Sequence, residues 1–274
     1  MYEIPMSVAM NAKIIGSGEQ TLVLSHGYGG SQNVWDDILP VLSKSYRVLL
    51  FDWSFSGAIE QPQQVFDALK HSSYTAFADD LISLADEMDL KGAVFIGHSM
   101  AGMIGCIASV KRPDIFSHLV LIGSSPRYLN EEDYEGGFNG DEVENILFNI
   151  ESNFETWATN FASLVVGANN PISVEKFSKN LKRMRPEIAL SVARIVFLSD
   201  LRDVLENVEV PCTIIQCSND IVVPMSVAKY MQSKIKGKAL VEIIETDGHF
   251  PQLTAHEMLI NVLDRVLIST TQES

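Results

Sequence analysis

The chain has 274 residues, 46% hydrophobic and 20% charged, enough apolar material for one large α/β domain or a core domain carrying an insertion. Its formal net charge of −15 argues against nucleic acid and anionic membrane surfaces as partners, since both select basic patches. No stretch approaches the roughly 20 apolar residues of a membrane span, and MYEIPMSVAMNAK has neither a basic start nor a long apolar run, so an intracellular protein without signal peptide or anchor is expected.

Near the start, NAKIIGSGEQ predicts an edge strand with Gly16 and Gly18 in its turn. Six apolar runs predict the other strands: TLVLSHG (21–27), YRVLLFD (46–52), GAVFIGHS (92–99), HLVLIGSS (118–125), CTIIQCS (212–218) and LVEIIETD (240–247). Most are apolar at consecutive positions, as in parallel strands buried on both faces. Helical patterns stand between them: VWDDILPVLSKS, YTAFADDLISLADEMDL, MIGCIASVKRP, VAKYMQSKIK and a closing HEMLINVLDRVLI. The alternation predicts a doubly wound, mostly parallel sheet of the α/β class. One region breaks it. From Tyr134 to Phe197 there are four helical patterns and no strand, the first two divided near Ser152 and the last two opened by Pro171 and Pro186. The expected organisation is a core over residues 1–133, an inserted helical cap over 134–197 and the remainder of the core over 198–274.

Cysteine usage adds little. Cys212 and Cys217 are five residues apart on one extended run, and at about 3.3 Å per residue they cannot meet in a disulfide. With Cys106 the count is odd, and no zinc or other metal pattern is present.

The chemistry lies at strand ends. GHSMAG (97–102) follows the apolar run AVFI and precedes a helical pattern, the context of a G-x-S-x-G nucleophile elbow. The match fails only at Ala101, with a glycine one place late at Gly102; small neighbours are needed because the nucleophile occupies a strained turn. Ser99 then needs a base and an acid, in the chain order serine, acid, histidine. Asp220 follows CTIIQCS and His249 follows LVEIIETD, both at the strand edge where open α/β sheets build active sites. His26-Gly27-Tyr28-Gly29-Gly30 follows TLVLS, and its Tyr28 amide with that of Met100 would form an oxyanion hole. The glycines match neither a phosphate-binding loop nor a dinucleotide fingerprint. The reaction class is acyl transfer through Ser99, needing no metal or organic cofactor. A serine in this place disfavours chemistries that use an aspartate nucleophile.

GHSMAGMIG, SSPRYLNEEDYEGGF, MRPEIALSVARIVF and DGHFPQL together resemble the plant receptor-hydrolases for strigolactones and karrikins, over nearly the whole chain. The resemblance implies an α/β-hydrolase fold with a V-shaped cap of four helices, slow hydrolysis of a small apolar butenolide, and a cap change that engages an F-box protein and repressor proteins in the cytoplasm and nucleus. It puts the triad on Ser99, Asp220 and His249, and a pocket on Tyr28, His98, Tyr128, Phe138, Trp157, Phe161, Ala193, Phe197, Val222 and Phe250. The loop DWSFSGAI (52–59) departs from the family's usual glycines and is similar to a third, DLK-type branch. Its Trp53 and Phe55 either narrow the pocket entrance or pack outside it. A general small-ester or lactone hydrolase without a receptor role is the alternative function, and a scaffold with a degraded site a third.

Overall fold

The computed structural model describes residues 4–167 and 169–272. Strands β1 (Lys13–Ile15), β2 (Thr21–Ser25), β3 (Arg47–Leu50), β4 (Ala93–His98), β5 (Phe116–Ile122), β6 (Cys212–Asn219) and β7 (Ala239–Asp247) form one sheet in the order β1-β3-β2-β4-β5-β6-β7. β1 is antiparallel to β3 and every other pair is parallel. Every predicted strand is present. The central strand β4 is buried at all its positions, as its unbroken apolar run requires. From β2 the chain runs out to β3 and returns to β4, so the order reverses between β2 and β4, the place where such sheets open a crevice.

The helices are α1 (Met6–Ala9), α2 (Leu39–Leu42), α3 (Tyr74–Glu87), α4 (Met100–Lys111), α5 (Gly140–Ser152), α6 (Phe154–Val166), α7 (Pro171–Lys182), α8 (Pro186–Leu198), α9 (Arg202–Leu205), α10 (Met225–Lys234), α11 (Pro251–Thr254) and α12 (His256–Gln272). One expectation is corrected. VWDDILPVLSKS is not a single helix but a 3₁₀ turn, Gln32–Trp35, followed by the short α2. Pro40 has no N–H to donate and its ring would clash with the carbonyl four residues back, so a helix can start there but not pass through.

Helices α5 to α8 lie between β5 and β6, with no strand among them in the described residues. α5 opens on a capping box of Asn139 and Glu142, and Asn153 both ends α5 and starts α6. Polar contacts fasten this block to the sheet layer. Ser173 Oγ donates to the Leu253 carbonyl at 3.0 Å, Asn33 and Asn180 exchange side-chain hydrogen bonds at 3.0 and 2.7 Å, and Lys176 pairs with Asp36 at 3.0 Å. Among the described residues no helix is long and apolar enough to cross a membrane.

Candidate active site

Ser99 joins β4 to α4 with φ 57° and ψ −125°, a left-handed conformation that costs energy for any residue with a side chain. The turn is held by the Ser99 N–H on the Ile122 carbonyl at 2.8 Å and the Gly102 N–H on the Ser99 carbonyl at 3.0 Å. A Cβ on Gly97 would stand 2.6 Å from the Phe95 ring and 2.8 Å from the Gly102 nitrogen, so that glycine is obligatory. Ala101 is fully buried without disturbing the turn. Gly102 has a different duty: a Cβ there would run into the Ser124 side chain, so it lets α4 approach the segment after β5.

His249 and Asp220 converge on the same edge because the register pairs Asn219 with Asp247 at the ends of β6 and β7. His249 Nδ1 donates to Asp220 Oδ2 at 2.7 Å, which makes Nε2 the basic nitrogen. Asp220 Oδ1 accepts from the Val222 and Val223 amides at 2.8 and 3.1 Å. Gly123, at φ 54°, leaves room for the pair, since a Cβ there would be 3.0 Å from the imidazole. His249 Nε2 is buried with no hydrogen-bond partner among the described residues. Ser99 Oγ instead lies 3.3 Å from the Tyr128 hydroxyl, a phenol that burial keeps neutral by raising its pKa.

The register Ser25 to Gly97 sets the loop after β2 against the elbow. A Cβ on Gly27 would be 2.9 Å from the Ser99 Cβ, so glycine is needed for this approach. The Tyr28 hydroxyl donates to the Ala189 carbonyl of α8 at 3.0 Å, fixing the residue whose amide is the candidate donor. Met100, the other candidate, is the first residue of α4, where N–H groups point outward and the helix dipole favours negative charge.

Two further histidines frame the site and both are neutral. Burial pushes the His26 pKa down; its Nδ1–H donates to the Gly27 carbonyl at 2.8 Å and its Nε2 accepts from the Trp53 amide at 3.2 Å. Burial, then the neighbouring His249, hold His98 well below the usual histidine range, and its Nε2–H donates to the His249 carbonyl at 2.8 Å.

A small cavity of about 30 Å³ lies over Ser99, well below the usual size of a ligand site. Of the expected pocket residues, Tyr28, His98, Tyr128, Phe161, Phe197, Val222 and Phe250 line it. Phe138, Trp157 and Ala193 do not: Phe138 packs edge-on against Phe197, Trp157 stacks on Phe161, and Ala193 is buried within α8. Val165, Phe177 and Val196 also line it and were not anticipated; the apolar character of their helices was visible, but not which turn faces Ser99. Trp53 and Phe55 are away from the cavity, in the core with Phe51 and Phe77. The Trp53 indole N–H donates to the His26 carbonyl at 2.9 Å, so this pair supports the loop after β2 from behind. Among the described residues no cluster of His, Cys, Asp or Glu is placed to hold a metal, and the three cysteines are buried and unbridged.

This sheet, with a serine elbow at its switch point and a histidine–aspartate pair beyond β6 and β7, defines a hydrolase class, and the chain belongs to the α/β hydrolase fold family, whose model matches residues 20–255. Within the family it groups with strigolactone esterases and karrikin insensitive 2 receptors. It is 44% identical to strigolactone esterase D14 of Arabidopsis thaliana, covering 94% of this chain and 96% of that one. Karrikin insensitive 2 receptor IA of Petunia hybrida is 42% identical, with 93% of each chain covered. Among solved structures, a hydrolase from Oleispira antarctica matches with a TM-score of 0.91 and 31% identity over 95% of each chain.

Proposed function

We propose that the protein is a serine hydrolase of a small, mostly apolar butenolide ester or lactone. Ser99 is the nucleophile, His249 its general base and Asp220 the residue that orients the imidazole; the Tyr28 and Met100 amides receive the oxyanion, and water releases the acyl group. The observation that carries this is the 2.7 Å His249–Asp220 bond, which leaves Nε2 basic and unpaired in the cavity that also holds Ser99. The mostly aromatic and aliphatic wall suits a flat apolar ligand, and the named strigolactone esterases support the substrate class. Hydrolysis of a fluorogenic butenolide and of an aryl ester is expected from the wild type and not from Ser99→Ala. Equal rates in both would sink the reading.

A receptor role is the second reading, supported by the relatives named receptors and by one structural feature. Helices α5 to α8, acting as a cap over 134–197, are hydrogen-bonded to both reactive loops through Tyr28–Ala189 and the His249 N–H on the Val165 carbonyl at 2.7 Å. A ligand that prefers one cap position would shift the cap population and engage an F-box protein and repressors in the cytoplasm and nucleus. Butenolide-dependent retention of an F-box protein checks this; retention that ignores the ligand rejects it.

A further inference from the structure

Gln216 is a polar residue inside the apolar run PCTIIQC, and on β6 it is fully buried. Its amide nitrogen donates to the Val223 carbonyl at 2.8 Å, and lies 3.3 Å from Asp220 Oδ2 and 3.4 Å from the Cys217 carbonyl. An amide nitrogen carries two hydrogens, so one serves Val223 and the other is shared between the carboxylate and Cys217. The Asp220 side chain is wholly buried, and a buried carboxylate needs donors on both oxygens. Its own loop supplies Oδ1; Oδ2 depends on His249 and Gln216. Val222, between the acid and the anchored Val223, lines the cavity above Ser99. One amide therefore ties the acid to a piece of the cavity wall.

We infer that Gln216 is a positioning residue, holding the Asp220 carboxylate and the 220–223 loop in register with His249. This rests on the Ser99–His249–Asp220 reading. A donor on Oδ2 also drains charge from the carboxylate, so its loss makes Asp220 a stronger partner for the imidazolium and leaves His249 protonated to higher pH. Glutamate cannot donate both bonds, and methionine fills the space with neither.

The test is hydrolysis of p-nitrophenyl acetate across pH by the wild type, Gln216→Met and Gln216→Glu, with NMR titration of the His249 imidazole in a Ser99→Ala background. Gln216→Met is expected to lower kcat about tenfold with KM within about twofold, the loss of one hydrogen bond to a charged group. The acid limb of the pH profile and the imidazole titration should both move up in Gln216→Met, and less in Gln216→Glu, where a buried acid beside Asp220 keeps its proton and can still donate to Oδ2. If Gln216→Met does not fold, Gln216→Leu carries the test by the same two readouts. Unchanged kcat, or a loss of activity with an unmoved imidazole titration, overturns the inference. Failure of the parent reading looks different: Ser99→Ala would hydrolyse the ester as fast as the wild type, whatever the titration shows.

Discussion

Ser99 Oγ rests 3.3 Å from the Tyr128 hydroxyl while His249 Nε2 has no partner among the described residues, so in the proposed reaction the serine must first turn toward the imidazole. The neighbouring ring of His98 makes a measurable demand on the fold. Its folded pKa is depressed, so below the ordinary histidine value of about 6.5 the unfolded chain binds a proton that the folded chain refuses. That stability is complete above about pH 6.5 and is lost as pH falls below it, by about 1.4 kcal/mol per unit until the folded ring itself titrates. In urea unfolding, the wild type should lose stability relative to His98→Gln between pH 7 and pH 5.5; a constant difference would mean that the ring binds its proton equally in the folded and unfolded chain. The candidate triad was legible because each of its residues stands alone at a strand end, where chain order and fold edge limit the choices. Gln216 was not, although a glutamine between Ile215 and Cys217 is itself a signal that a buried amide has partners.

Elements were legible in proportion to how strongly burial constrains them. β4 reveals itself by the apolar run AVFI and β5 by LVLI, whereas VWDDILPVLSKS keeps a helical apolar spacing that a single missing N–H at Pro40 overrides. The DWSFSGAI loop is the instructive case, because family likeness drew attention to the pocket and the physics lies in the core. Phe55 is 1% exposed, meets Phe77 edge-on at 5.4 Å and lies 6.0 Å from His26, with no place in the cavity wall. Deleting its ring should therefore cost stability and not recognition. Phe55→Ala is expected to lose about 3–5 kcal/mol in denaturant unfolding, the usual result of emptying a buried aromatic site. At a temperature where the variant remains folded, its KM for an aryl ester should stay within about twofold of wild type, since the ring does not line the cavity. A large KM increase with little loss of stability would put the ring at the pocket mouth instead.

Across the whole molecule, the helical block and the sheet layer share one hydrophobic core but are registered by few polar contacts. Two of these end on the candidate site loops, Tyr28 on Ala189 and His249 on Val165; others, Asn33 with Asn180 and Lys176 with Asp36, do not line the cavity. Apolar packing resists separation yet tolerates small slides, so directional bonds decide where α6 and α7 sit over Ser99. The Asn33–Asn180 pair is the best lever, because Asn180 is 4% exposed and both amides satisfy each other. Asn180→Ala leaves Asn33 without its partner, a loss of about 1–3 kcal/mol. Hydrogen exchange should then quicken in α6 and α7 while β4 and β5 keep their protection, because a local tie and not the common core has been cut. If exchange rises equally in β4, the block and the sheet open as one cooperative unit, and no ligand could move helices α5 to α8 without loosening the fold beneath them.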